Sequence, residues 1–363
     1  DSLIKIATKT RESKVGEAQK ILDDIIDRHL GIAEELGVLD SVNTYFEKTR
    51  EELTLLIHAL VVLGVVSPRS LDKIMSYGEL MSSTLIFEYF RAQKLSIFYV
   101  DPRAVIKTNA NFTEAEIDFS KTGAELSLIL GKYGNKYQYF ITGGFVGSDN
   151  DGNTTTLSRG GSDYTASVIA SLLGAKKLEI WTDVPGVMTS DPRLIPEAKV
   201  ISEVSYAEAS ELAFFGAKVL HPKTIYPAVK KKIPVSVLNS LRPDDEGTII
   251  LPTASKKKIV KAIALRRNIV VITIHSNRML GAFGFLARVF EIFKKYQTSV
   301  DLVSTSEVSI SLTIDDVRNL NLILEELKEF ATVKYETNQA IISIIGEGLK
   351  DTTNVANRIF EVL

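Results

Sequence analysis

Residues 137–183 read YQYFITGGFVGSDNDGNTTTLSRGGSDYTASVIASLLGAKKLEIWTD, and their pattern decides the fold. Residues 137–142 are a short apolar run that stops at Gly143-Gly144. Residues 163–173 carry a helical pattern closed by Gly174, a residue suited to the left-handed turn after a helix end. Residues 178–182 are a second apolar run, ending at Asp183. Short apolar strands alternating with helices predict an α/β fold with a mostly parallel sheet covered on both faces. Ligands of such sheets sit beyond the carboxyl ends of strands. The unusual residues of the chain fall there.

On the N-terminal side the first hundred residues read as helical, with apolar stripes over 21–30 and 53–62 and a break at Ser67-Pro68. A long helix follows over about 70–93, then a strand over 95–100. On the C-terminal side come a helix over 206–215 closed by Gly216 and strands over 233–238 and 248–251. The polar, basic stretch 253–259 reads as a linker. Beyond it, strands over 268–274, 299–304, 308–313 and 333–336 with helices over 286–296 and 317–330 make a βαββαβ unit. Residues 340–345 and 352–362 look like the start of a second copy, GEGLKDTTNVANRIFEVL against GAFGFLARVFEIF. That copy stops at Leu363 with half of its elements, so a truncated C-terminal repeat is expected. The expected domains are 1–254, 255–338 and 339–363.

Composition narrows the chemistry. The 363 residues include no cysteine, which removes disulfides, thiolate metal sites and a cysteine nucleophile. The net charge of −2 gives no field to gather nucleic acid or an anionic membrane. No apolar run reaches the ~20 residues of a membrane span, so a cytoplasmic protein is expected. His29, His58, His221 and His275 show no ligand spacing. The lysine runs 230–232 and 256–258 lack interleaved aromatics and read as solvated surface.

Four constellations remain. Gly143-Gly144-Phe145-Val146-Gly147 follows a strand and reads as an anion-binding concavity or a plain turn. It is neither a Walker A loop nor a Rossmann fingerprint. In Thr154–Asp163, TTTLSRGGSD, Arg159 is able to grip a carboxylate bidentately, and Gly160-Gly161 lead into a helix whose first turn carries Ser162 and Asp163. The plainer reading is a capped helix with Asp163 as its N-cap. In WTDVPGVMTSDPR, Thr182 and Asp183 leave a strand end where an adenine or ribose is readable, and Arg193 is able to meet phosphates. In FFGAKVLHP, Lys218 either caps helix carbonyls or contacts a phosphate. Glu79 lies in SYGELMS at the flank of an apolar helix stripe, the place of many solvated glutamates.

Taken in order, SYGELMSS, GGFVGS, TTTLSRGGSDYTA, EIWTDVPGVMTSDPR and ELAFFGAKVLHPKTIYPA resemble aspartate kinases of the monofunctional, lysine-sensitive type. RNIVVITIHSNRML and SVDLVSTSEVSISL resemble their ACT domain. The resemblance implies the amino-acid-kinase αβα sandwich followed by ferredoxin-like ACT domains. It implies transfer of the γ-phosphoryl group of ATP to the side-chain carboxylate of L-aspartate, with Mg²⁺ bridging the phosphates and no side chain assigned to the metal. Arg159 would bind the aspartate carboxylate and Glu79 its amino group, with Phe145 and Ser162 shaping the pocket. Asp163 would orient a catalytic lysine. Thr182, Asp183, Met188, Arg193, Lys218 and Val219 occupy nucleotide positions. Met279, Phe285, Leu286, Asp301, Ser306 and Glu307 occupy effector positions, for which lysine is expected, Asp301 as a buried acid near Ser306 and Glu307. ACT units pair edge to edge, which implies a homodimer.

The sequence also departs from the family. Ser158 stands where glycine is usual, Met188 where tyrosine is common, and Ala282 where a polar residue is found. The family's catalytic lysine, on an opening strand before a Gly-Gly-Thr loop, is not among the 363 residues. Activity is therefore expected to need that segment ahead of Asp1. Two alternatives stand beside the aspartate kinase: an inactive amino-acid sensor built on the ACT region, and another amino acid kinase.

Overall fold

The computed structural model describes residues 2–214, 222–254, 258–279 and 283–362, the side chains of Pro222 and Arg278 aside. In chain order the elements are α1 (Ser2–Arg11), α2 (Val15–Glu35), α3 (Leu39–Leu63), α4 (Pro68–Ala92), β1 (Ile97–Val100), α5 (Pro102–Val105), α6 (Phe119–Tyr133) and β2 (Tyr139–Thr142). Then follow β3 (Val146–Ser148), β4 (Thr154–Thr156), α7 (Gly161–Leu173), β5 (Leu178–Thr182), β6 (Glu203–Ser205), α8 (Tyr206–Phe214), α9 (Pro222–Lys230), β7 (Val235–Asn239) and β8 (Thr248–Leu251). The last are β9 (Ala262–His275), α10 (Phe285–Lys295), β10 (Val303–Thr305), β11 (Ser309–Ile314), α11 (Leu320–Lys328), β12 (Thr332–Ile345) and α12 (Val355–Phe360). Among the described residues no helix is long and apolar enough to cross a membrane.

The residues divide into two compact units, Asp1–Trp181 with Leu220–Ser236, and Thr182–Val219 with Val237–Leu363. In the first unit α1–α4 bury Ile6, Leu22, Ile26, Phe46, Leu53, Ile57, Ile74 and Met81 completely. Each aliphatic side chain removed from water contributes about 1.5–3 kcal/mol. Phe46→Ala in this cluster would cost about 3–5 kcal/mol. Helix α4 starts where Ser67 accepts the Ser70 amide at 3.1 Å and Pro68 takes the first helical position. Strands β1 and β2 pair in parallel, Val100 opposite Thr142, so both end beside Asp101 and Gly143. The β3–β4 hairpin is antiparallel. Helix α7 starts two residues earlier than expected and its N-cap is Gly160 at φ 77°. Asp163 therefore sits within the first turn and is not the cap.

In the second unit β6 and β8 pair in parallel, Val204 opposite Ile250. The βαββαβ part forms an antiparallel sheet in the order β10-β11-β9-β12, with α10 and α11 packed on Ile272, Ile274, Ile310 and Leu312. Its last strand departs from expectation. Residues 333–336 and 340–345 are one strand, β12, which absorbs the polar Thr337–Gln339 through irregular register against β9. Strand β9 is likewise longer than expected, because Ala262–Arg266 pair with Ile341–Ile345. The expected dividing line at 338/339 thus runs through continuous strand, and the compact units part elsewhere than 254/255.

Candidate active site

The first unit assembles one cavity of about 500 Å³ from four stretches of chain. Residues Leu157–Asp163 line one side, and Met75 of α4, Thr113 and Phe145 complete it. The Gly143-Gly144 turn enters between α4 and α7. The Gly144 amide donates to Glu79 Oε1 at 2.8 Å. A Cβ on Gly144 would lie 2.8 Å from Ser162 Cα, so only glycine lets the turn approach the start of α7 this closely. Phe145 then takes φ 64°, a genuine outlier for a bulky side chain. Its amide donates to Thr165 Oγ1 at 3.1 Å and its carbonyl accepts the Leu157 amide at 2.8 Å. Gly160, at φ 77°, turns the chain into α7 where a Cβ would strike Thr224.

These contacts set out three charged groups. Arg159 is exposed and makes no ion pair among the described residues. Glu79 is half-buried. Burial pushes its carboxyl above the usual carboxylate range, and the Gly144 amide opposes that in part. Asp163 is also half-buried, and burial alone pushes its carboxyl up. The exposed Ser162 stands beside it at the head of α7. One free guanidinium and one acid without a cation, Arg159 and Asp163, therefore border the same space, and Glu79, also without a cation among the described residues, is joined to its Phe145 side through the Gly144 amide. Of the expected acceptor residues, Phe145, Arg159, Ser162 and Asp163 line the cavity and Glu79 does not.

Three further residues belong to this site and escape sequence reading. Asp72 of α4 is fully buried and accepts hydrogen bonds from Thr113 and Thr156. Thr113 and Met75 line the cavity. The available signal was an acid inside an apolar helix stripe, with Asp72, Met75 and Glu79 on one face at i, i+3 and i+7.

The nucleotide positions lie in the second unit. Thr182 Oγ1 donates to Asp183 Oδ1 at 3.2 Å, and Met188 bridges to Val200. Arg193 is exposed but held by Asp191, Nε to Oδ1 at 3.0 Å and Nη2 to Oδ2 at 2.6 Å. Lys218, Val219 and Ala282 lie outside the described residues.

The effector positions are not gathered as expected. Met279 and Phe285 pack against the core of the antiparallel sheet, and Leu286 is exposed. The Asp301 side chain is buried but ion-paired with Arg266 at 2.8 Å. Ser306 closes the β10–β11 turn by accepting the Ser309 amide at 3.1 Å, with Glu307 exposed inside that turn. Asp301, whose amide donates to Thr313, is at the opposite end of the hairpin. Five residues of extended chain amount to about 16 Å. Asp301 is thus a neutralised partner of Arg266, remote from Ser306 and Glu307 within one chain.

Comparison with known proteins identifies the chain's family. Residues 9–239 match the model of the amino acid kinase family. Lysine-sensitive aspartokinase 3 of Escherichia coli (strain K12) is 40% identical over 356 residues, covering 96% of this chain and 79% of the relative. Among solved structures, E. coli aspartokinase III with aspartate and ADP superposes with a TM-score of 0.82. The same enzyme with lysine and aspartate gives 0.79. Each is 40% identical and covers 96% of this chain and 79% of its own. The chain belongs to the amino acid kinase family, among its aspartokinases.

Proposed function

We propose that this protein transfers the γ-phosphoryl group of ATP to the side-chain carboxylate of L-aspartate, giving 4-phospho-L-aspartate. The observation that supports the reading is the free Arg159 in one cavity lining with Asp163, beside a Gly144 turn held by Glu79, neither acid being ion-paired among the described residues. Aspartate carries two carboxylates and one ammonium. Arg159 takes a carboxylate through its planar fork, and Glu79 takes the ammonium. A carboxylate is already ionised near neutral pH, so the acceptor needs no general base. Its oxygen forms a bond to the γ-phosphorus while the bond from that phosphorus to the ADP oxygen breaks. ADP leaves with the electron pair. What the protein supplies is alignment and charge neutralisation between two anions. Phe145 and Ser162 bound the acceptor, and Asp163 is assigned the orienting of the family's catalytic lysine.

Thr182, Asp183, Met188 and Arg193, with Lys218 and Val219, are assigned to the nucleotide. Release of Arg193 from Asp191 is part of that assignment. Among the described residues no group of three or more His, Cys, Asp or Glu could hold a metal ion. Magnesium usually binds through substrate phosphates and water with one or two carboxylates, so it is assigned to the nucleotide.

Residues 1–254 are read as catalytic, and 255–338 with 339–363 as regulatory, with lysine as inhibitor. A homodimer through the antiparallel sheet is supported by its edge strand β10, where Val303, Ser304 and Thr305 are all exposed. A monomeric mass in solution at micromolar concentration would remove the dimer. A coupled ADP-release assay on the native-length protein, with aspartate, Mg-ATP and added lysine, tests the rest. No aspartate-dependent release sinks the kinase reading, and release unaffected by lysine removes the inhibitor.

A further inference from the structure

Asp72 lies in α4 and is 0% exposed, and it forms no salt bridge among the described residues. Its carboxylate collects donors from two other segments instead. The Thr113 amide reaches both oxygens at 3.0 Å. The Thr156 amide reaches Oδ2 at 2.9 Å and the Thr156 hydroxyl reaches Oδ1 at 2.5 Å. Thr113 is held at φ 76°, a conformation that a β-branched residue seldom adopts. It forms part of one cavity wall. Thr156 is the last residue of β4, directly before the Leu157–Asp163 wall that carries Arg159. Met75, one turn along α4 from Asp72, lines the same space. Asp72 itself does not line it.

We propose that Asp72 is a positioning residue for the acceptor: it ties the Thr113 turn to the root of the Arg159 loop and so sets the width of the cavity. The proposal rests on the acceptor reading of that cavity given above. The residue type follows from the donors. Two amides and a hydroxyl converge on one buried point, and only an ionised carboxylate is acceptor on both of its atoms. An asparagine would turn an N–H₂ toward one of the donors. An alanine would leave all three unpaired, and the Thr113 turn would be free to leave its left-handed conformation. Arg159 binds through a planar fork whose use depends on placement, so a shift at its root reaches acceptor affinity without touching the ligand.

The test is calorimetric titration of L-aspartate, and separately ADP, into the native-length protein and two variants, with thermal melting of each. Asp72→Asn is expected to weaken aspartate about tenfold or more, and Thr156→Val, which removes one hydroxyl bond, about threefold. ADP affinity stays within about twofold in both, and Thr156→Ser matches the parent. A folded Asp72→Asn protein that binds aspartate as the parent does overturns the proposal. Equal losses of aspartate and ADP affinity also overturn it, since they mark general loosening. Where Asp72→Asn fails to fold, unchanged aspartate affinity in Thr156→Val overturns it. A parent protein that binds ADP but not aspartate refutes the acceptor reading and this proposal together, whereas parent binding with unchanged variants refutes the positioning role alone.

Discussion

Replacing Arg159 by alanine should separate binding from stability. The side chain is exposed and makes no ion pair among the described residues, so its loss strands no buried acid. Stability should therefore change by no more than about 0.5 kcal/mol, or about 1–2 °C in melting temperature for a unit of this size. The acceptor loses much more. A bidentate guanidinium–carboxylate contact comprises two charge-assisted hydrogen bonds of about 1.5–3 kcal/mol each, which do not add in full and are reduced by the open face of the site. A net loss of about 2–3 kcal/mol corresponds to about a 30- to 150-fold fall in kcat/KM for aspartate. Lysine at the same position keeps the charge but not the fork, and should recover only part of the loss. The assay is coupled ADP release against aspartate concentration, beside a melting curve. The reasoning is refuted by an unchanged aspartate KM. A fall of about 5 °C or more in melting temperature would also refute it, because it would show that the arginine has a structural partner.

Three further outcomes follow from the same geometry. Glu79→Gln keeps an acceptor for the Gly144 amide but removes a carboxylate whose folded pKa is raised by burial. The penalty on the charged form is present above that folded pKa and disappears as pH falls below the unfolded one, so the variant should melt higher than the parent near pH 8, with the gap closing by about pH 4. Aspartate kcat/KM should fall about 10- to 100-fold in the same variant, and a melting gap that widens toward acid would contradict the sign. Lys261→Met breaks the buried Lys261–Glu208 pair, 2.7 Å apart with both side chains 3% exposed, at a cost of about 3–5 kcal/mol. Adding Glu208→Gln should recover most of that, and a denaturation experiment showing no recovery would place the loss elsewhere. Burial pushes the Glu208 carboxyl up, but Lys261 and the Ser205 and Glu347 amides hold it below its ordinary value. Its contribution therefore stands above the unfolded pKa and is lost as pH falls through the folded one. Gly144→Ala places a Cβ against Ser162 Cα, which should cost about 1–3 kcal/mol and raise the aspartate KM by displacing the turn. If both measurements match the parent, the close approach is not needed.

What the sequence revealed of this molecule, and what it hid, divides by distance along the chain. Strands over 178–182 and 248–251 fall where apolar runs meet breakers, and they coincide with β5 and β8. Ser67-Pro68 similarly marks the start of α4. The cavity-lining loop Leu157–Asp163 is legible because arginine, two glycines, serine and aspartate are contiguous, and a helix start needs no distant partner. Strand β12 is not legible in this way, since Thr337-Asn338-Gln339 has turn composition and Asn338 has φ 57°. Pairing with β9 on either side of it, with shifted register, carries the strand through. Asp301 misleads for a related reason: its acid suggests a ligand site until Arg266 neutralises it. Asp72 is the sharpest case, with donors 41 and 84 residues away in sequence. A local pattern reports which side chains can meet a ligand, but a pin between segments is recorded only in the folded contacts. In this site the free charges sit on short contiguous motifs, while the groups that space those motifs are buried polar residues within apolar stripes. A buried acid at an apolar helix position is therefore the signal to pursue beside a candidate loop of this kind.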